Sequence, residues 1–376
     1  GLRRAAGLSE RLARLSPEDP ELMPELDAQQ FAAVTAYAAA TAELTPEARA
    51  EAVRAVIDAA RSVRGAPADL FVAGFLEMSA GLARAVATKK GLFGYHPSSA
   101  VNLTTTVRTP DGTGSGWAGA GARDWARIDP AALGRRAALK AIASRQPQAI
   151  EPGQYTVVLE PQAVSDLIQP LMGSFAARAA DEGRSPFAKK GGGTKLGEKV
   201  ADAKVTLYSD PADPDLLGRP FDAEGVPVGR TVWVENGALR SLAYSRYWAQ
   251  KTGNQPTGGF GGFGAPEGGL KMAGGTKSTE ELIAGTDRGV LVTRNWYIRF
   301  LDQRTVMLTG LTRDGTFLIE QGRVTRPLKN FRWNESPLFM LNKVDEVGRA
   351  ERTEAGVVMP SLRVRDFTFT SLSDAV

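Results

Sequence analysis

Cysteine is absent from this chain, and histidine occurs once, at His96. The first absence excludes a disulfide framework and thiol chemistry, and it fits a reducing cytoplasm. The second excludes a histidine-rich metal centre, because catalytic zinc draws three protein ligands from His, Cys and carboxylates and one imidazole cannot supply the set. Carboxylates are plentiful, 42 Asp and Glu together, yet the sequence gathers them into no tight acidic cluster. No apolar run approaches the roughly 20 residues that a membrane-spanning helix needs. The opening GLRRAAGLSERLARL is basic but lacks an apolar core followed by a cleavage site, so no signal peptide is read there.

What is present describes an ordinary globular protein. The 376 residues are 43% hydrophobic and 23% charged, enough for two domains with separate cores. The formal net charge is +4. Because Lys and Arg are scattered rather than massed on one stretch, they read as solvated surface, and neither nucleic acid nor membrane is expected as a partner.

Three segments of the first 150 residues carry helix signals. Ser16-Pro17, Thr45-Pro46 and Asp129-Pro130 each pair an N-cap side chain with a proline, whose fixed φ suits the first helical turn. From Pro46 to Arg61 apolar residues recur at helical spacing, which predicts an amphipathic helix on a sheet, and Pro130 to Ser144 predicts another. Between them LFVAGFLEMSAGLARAVAT and AVNLTTTVRT alternate as strands, separated by the turn-rich KKGLFGYHPSS. There His96 reads as a turn residue, exposed or locally bonded. GTGSGWAGAGARDW reads as a glycine-rich connection.

After Glu151 the chain is mainly β, with YTVVLE, KVTLYSD, TVWVENGAL, GVLVTRNWYIRFL, VMLTGLTRDGTFLIEQG and LRVRDFTFTS as strand segments. Asn236-Gly237 and Asp314-Gly315 stand at hairpin spacing. The expected class is therefore α+β: an N-terminal helix and sheet domain over 1–150, then a β-rich C-terminal domain over 151–376 with one inserted helix at about 162–182.

Few motifs carry chemistry by themselves. Gly259, Gly261 and Gly264 satisfy GxGxxG formally, but APEGGLKMAGG follows where a nucleotide-binding helix is required. Gly274-Gly275-Thr276-Lys277-Ser278 fails P-loop spacing, so both stretches read as loops. Ser174 and Ser115 lie outside GxSxG, and a triad would have to recruit His96. Asp222 and Glu224 could serve as an acid and base pair, but acidic side chains flanking Gly225 more simply bond turn amides.

The run IEPGQYTVVLEPQAVSDLIQPLMGSFAARAADEGRSPF, from Ile150 to Phe187, resembles the TldD/PmbA family of metallopeptidases, in which a strand ending in proline leads into a helix carrying HExxxH. Here that slot reads Gln169-Pro170-Leu171-Met172-Gly173-Ser174. LGEKV at 196–200, FDAEGVP at 221–227, STEELI at 278–283 with GVLVT at 289–293, and Glu320, Gly322 and Pro327 repeat other segments of that family in order. The resemblance implies a TldD/PmbA-type fold whose N-terminal domain is shortened at its start. It also implies a TldE/PmbA-like, non-proteolytic subunit with Gln169, Pro170 and Ser174 at vacated metal-site positions, and no catalytic residue, metal or cofactor of its own. Zinc is expected in the partner, a TldD-like protease subunit forming a heterodimer around a cavity that admits unfolded peptide. Arg178, Asp222, Glu224 and Gly225 are the candidate cleft residues, and the setting is cytoplasmic. The alternative is a stand-alone homodimeric binding or regulatory protein of the same fold.

Overall fold

The computed structural model describes residues 1–259 and 266–374. Helix α1 (Leu2–Leu15) buries none of its residues. Ser16 does not open a helix at Pro17. It closes α1, its N–H and Oγ both donating to the Leu12 carbonyl at 3.0 and 2.9 Å.

A short α2 (Ala39–Ala42) precedes α3 (Pro46–Arg61), where Thr45 accepts from Ala48 N as predicted. The next segments form one long antiparallel hairpin, β1 (Phe71–Ala87) and β2 (Phe93–Arg108), turned by residues 88–92. The expected turn therefore shrinks to five residues, and Phe93 to Ser98 pair as strand with Ala87 to Leu82. The glycine-rich connection is also strand: β3 (Ser115–Ala122) pairs with β2 along its whole length. Its small residues serve packing, since a Cβ on Gly116 would meet the Ala137 carbonyl at 2.1 Å. That carbonyl belongs to α4 (Pro130–Ala143), capped by Asp129 and laid directly on the sheet. Val56, Leu103, Val107, Leu133, Ala137 and Ala141 fill the layer between helices and sheet.

The rest of the chain builds a second, larger sheet. Strand β4 (Gln154–Leu159) leads into α5 (Pro161–Met172), followed by a short α6 (Ala177–Asp181). Then come β5 (Leu207–Ser209), β6 (Thr231–Glu235), β7 (Ala238–Leu239), α7 (Arg246–Thr252), β8 (Lys271–Met272), α8 (Thr279–Ala284) and β9 (Arg288–Val292). The last stretch holds β10 (Asn295–Asp302), β11 (Met307–Thr312), β12 (Thr316–Glu320), β13 (Arg323–Pro327), β14 (Asn330–Glu335), α9 (Pro337–Asn342), β15 (Val344–Arg352) and β16 (Val358–Ser373). One path of the sheet runs β13-β12-β9-β4-β16-β8-β5-β6-β7. A second arm leaves β16 through β14 and β11 and ends at β10. Strand β16 belongs to both because Asp366, at φ 49°, interrupts its register between Val364 and Phe367.

Asn236 and Gly237, both at positive φ, turn β6 into β7 as a hairpin. Asp314-Gly315 does not make one. It carries the chain from β11, which pairs with β10 and β14, to β12, which pairs with β9 and β13. Around α5 the core is closed by Phe175, Phe187, Trp233, Phe331, Trp333 and Phe367.

Candidate functional site

Helix α5 buries Leu167, Ile168, Leu171 and Met172, a spacing that fixes its orientation toward the core. Asp166, Gln169 and Pro170 are thereby turned toward a cavity of about 450 Å³ shared with residues 294–300. The expected helix over 162–182 ends early. Proline at 170 has no N–H for the Asp166 carbonyl, and the chain passes into a 3₁₀ turn at Gly173–Phe175 and breaks at Ala176 before α6. Ser174 lies in that turn, where its carbonyl accepts from Ser185 Oγ at 2.7 Å, and it does not line the cavity.

At the cavity floor, the Asp166 oxygens accept from Gln162 Nε2 and from the Asn295 backbone N–H, each at 2.8 Å. The residue keeps some exposed surface, but its carboxyl is enclosed by protein, and burial pushes its pKa up to about 7 against the pull of both bonds and of Arg294. Asn295 Nδ2 donates to the Ala163 carbonyl at 3.1 Å, and its buried Oδ1 has no hydrogen-bond partner. Gln169 Nε2 donates to Ser165 Oγ at 3.0 Å. Arg294 is ion-paired with Asp314 at 3.1 Å and lies over Trp117 and Trp296.

Zinc would require deprotonated nitrogen, sulfur or carboxylate donors converging on one point. The slot supplies an amide, a proline ring and a hydroxyl that faces elsewhere. Among the described residues no group of three or more His, Cys, Asp and Glu side chains stands where a metal could be held. The residues present do not fit a zinc centre.

The other candidate residues lie apart from this cavity. Arg178 is committed to Glu21 at 2.7 Å and Glu182 at 3.0 Å and lies over Trp248, so it ties the N-terminal segment to the larger sheet's side of the molecule. Asp222 acts as a turn anchor: Oδ1 accepts from Glu224 N and Val226 N, and Oδ2 from Gly259 N. Glu224 pairs with Arg246 at 3.2 Å, and Gly225 sits at φ 85° beneath Leu92. Of the glycine-rich stretch, Gly261 and Gly264 lie outside the described residues. Gly274 and Gly275 pack against Ala350 and Val347, and Ser278 caps α8.

His96 overturns the turn reading. It is a strand residue of β2, 4% exposed, with Nε2 lacking a partner. Burial, followed by Arg123, Arg219 and Arg84, holds its pKa down to about 4. Beside it Glu267, buried at 3% side-chain exposure, bridges Arg84 at 2.8 Å and Arg219 at 2.9 Å, joining the long hairpin to the loops of the larger sheet.

Sequence reasoning missed Asp166, Asn295 and the character of β10. The available signal for Asp166 was an acid three residues before Gln169, the one charged residue of α5. Among the described residues β10 has β11 as its one strand partner, and on its other edge the Asn295 N–H is taken by Asp166 while no strand pairs with the rest. Along it Trp296, Tyr297, Phe300 and Leu301 are 44–59% exposed, an apolar row of the kind that marks a binding surface.

The fold combines two sheets with a helix, α5, whose polar face opens on this cavity, and among the described residues the slot holds no metal-ligand set. The description PmbA/TldA metallopeptidase C-terminal domain matches residues 152–371, and PmbA/TldA metallopeptidase central domain matches residues 40–145. The chain belongs to the PmbA/TldD family. It is 29% identical over 236 residues to a metalloprotease of Methanothermobacter thermautotrophicus, a match covering 61% of this chain and 50% of that protein. The chain thus spans about half the length of the curated relatives it matches. The crystal structure of TldE from Thermococcus kodakarensis superposes with a TM-score of 0.79 at 20% identity, covering 96% of this chain and 82% of that one. A Thermotoga maritima protein described as a candidate modulator of a DNA gyrase gives 0.81 at 22% identity, with the same coverage. These two likenesses concern the fold.

Proposed function

We propose that this chain is the catalytically silent, TldE/PmbA-like subunit of a TldD-type zinc metalloprotease complex, working in the cytoplasm on unfolded peptides. The observation that carries this is the content of the slot: Gln169 and Pro170 occupy the cavity wall where the resemblance calls for His and Glu, and Ser174 replaces the second His. Without a base beside a metal, no water is activated here. What the site retains is a means of holding a chain. The free edge of β10 offers backbone N–H and C=O groups to an extended peptide, and main-chain bonding of that kind accepts many sequences. The cavity beside Gln169 would take a side chain of that peptide, with the β10 aromatics as its wall. The zinc stays with the partner, and this subunit completes the chamber.

Hydrolysis of an unstructured peptide by this chain alone, by an HExxxH-bearing TldD-like subunit alone, and by their mixture tests the reading. Chelator-sensitive activity should rise at least about tenfold in the mixture, the scale expected when binding and orientation are completed by a second surface. Activity from this chain alone would overturn the proposal. A stable homodimer that neither binds nor stimulates the TldD-like subunit would favour the stand-alone regulatory alternative.

A further inference from the structure

Lys189, Lys190, Lys195 and Lys199 fall within one eleven-residue stretch of sequence, and Arg304 is about a hundred residues away. The fold gathers all five into the lining of one groove of about 710 Å³, with Glu198 as its single carboxylate. Five cations less one carboxylate give +4, which equals the net charge of the whole chain, so the remainder of the molecule is balanced. A concave surface of one sign focuses its field outward and draws in counter-charge.

The groove is held open by its own backbone. Gly191, Gly192 and Gly193 all have positive φ and turn the segment back on itself, with Lys189 N donating to the Gly193 carbonyl at 2.8 Å and Lys195 N to the Phe187 carbonyl at 2.7 Å. Phe187 is fully buried and anchors the loop in the core. Two of the cations are used internally: Lys189 pairs with Glu198 at 2.8 Å, and Lys195 Nζ donates to the Pro186 carbonyl at 2.8 Å. Among the described residues, no carboxylate lies within salt-bridge distance of Lys190, Lys199 or Arg304, and all three are exposed. The opposite wall is apolar, with Phe339 of α9 49% exposed beside Leu338.

We propose that this groove is a docking site for an acidic, extended polypeptide segment that also carries aliphatic side chains. Lys190, together with Lys199 and Arg304, which feel Asp202 and Asp302 only from beyond salt-bridge distance, meets its carboxylates, and Phe339 takes an aliphatic side chain. A free phosphate would leave Phe339 uncovered, and a single-stranded nucleic acid would find one exposed ring where it needs several to stack successive bases. Arg304 stands in the turn that closes β10, so the groove adjoins the C-terminal end of the strand whose earlier residues line the Gln169 cavity. The inference goes beyond the subunit role and holds whether or not a protease partner exists.

Fluorescence anisotropy of a labelled Glu-Leu-Ser repeat peptide tests it, against the matching Gln-Leu-Ser peptide and a labelled oligothymidylate. The acidic peptide should bind and the Gln peptide should not, and added salt should weaken the binding steeply. The triple variant K190E/K199E/R304E should bind about tenfold or more weakly, and the neutral variant K190Q/K199Q/R304Q should lose a smaller factor in the same direction. F339A should weaken binding several-fold while leaving the salt dependence unchanged. Since the altered side chains are exposed and make no salt bridge, circular dichroism melts of the neutral triple variant and of F339A should stay close to the parent. Equal binding by the parent and both triple variants would overturn the proposal. So would tighter binding of oligothymidylate that is indifferent to F339A.

Discussion

Both Asp166 oxygens accept hydrogen bonds, yet burial keeps the carboxyl protonated up to about pH 7, where an exposed aspartate has long been ionised. Its folded pKa lies above its unfolded one, so the native state holds a proton that the unfolded chain releases between about pH 4 and pH 7. The stability this provides is fully present below pH 4 and is lost as pH rises toward 7. Asp166→Asn cannot titrate, and its amide must present an N–H to a donor. Its stability cost should therefore be largest below about pH 4, fall as pH rises from 4 to 7 and level off above 7, measured as the difference in urea midpoint between parent and variant. A cost independent of pH would show that Asp166 is not the titrating group. His96 has the opposite sign: its depressed pKa contributes stability above about pH 6.5 that is lost as pH falls toward 4. The family resemblance identified the slot, but not Asp166, because its enclosure comes from Asn295 on a strand more than a hundred residues away.

Among the elements, those signalled by local chemistry were legible. Thr45-Pro46 and Asp129-Pro130 place a capping oxygen and a pre-set φ at the first turn, and α3 and α4 begin there. Strand β3 was not legible, because Gly-Trp-Ala-Gly-Ala-Gly has the composition of a connection. Its glycines are explained only by what lies on them, the Ala137 carbonyl at Gly116 and the Glu354 carbonyl at Gly121. The Asp222 turn shows a sequence reading that matches its geometry, with its carboxylate bonding turn amides around Gly225. Gly225→Ala should destabilise the protein by about 1–2 kcal/mol, the penalty for a Cβ in the left-handed region. Contact with Leu92 Cδ2, 2.5 Å from the added Cβ, would add to this unless that methyl end moves. A thermal melt checks the prediction, and an unchanged midpoint would refute it.

At the scale of the whole molecule, the hairpin of β1 and β2 is fastened to the larger sheet's loops through Glu267 and its two arginines. Glu267→Ala leaves Arg84 and Arg219 facing each other without a counter-charge. The cost should be about 2 kcal/mol, below that of breaking a fully buried pair because both arginines keep access to water. Differential calorimetry should then show the unfolding transition broaden or split as the two sheets uncouple, whereas one sharp transition at the parental temperature would argue against the coupling. The sequence by itself determined what depends on neighbours along the chain: one histidine and no cysteine, the caps at Thr45 and Asp129, the turn at Asn236-Gly237, and the family whose words recur in sequence. Tertiary structure alone decided which distant residues share a space. It buried His96 in a strand, closed Asn295 over Asp166, left β10 at the edge of its sheet beside the slot, and brought Arg304 to the lysines of 189–199 in one groove. Capping and turn signals act over a few residues, whereas burial and electrostatic fields sum over every atom the fold brings near, and no local pattern records that sum.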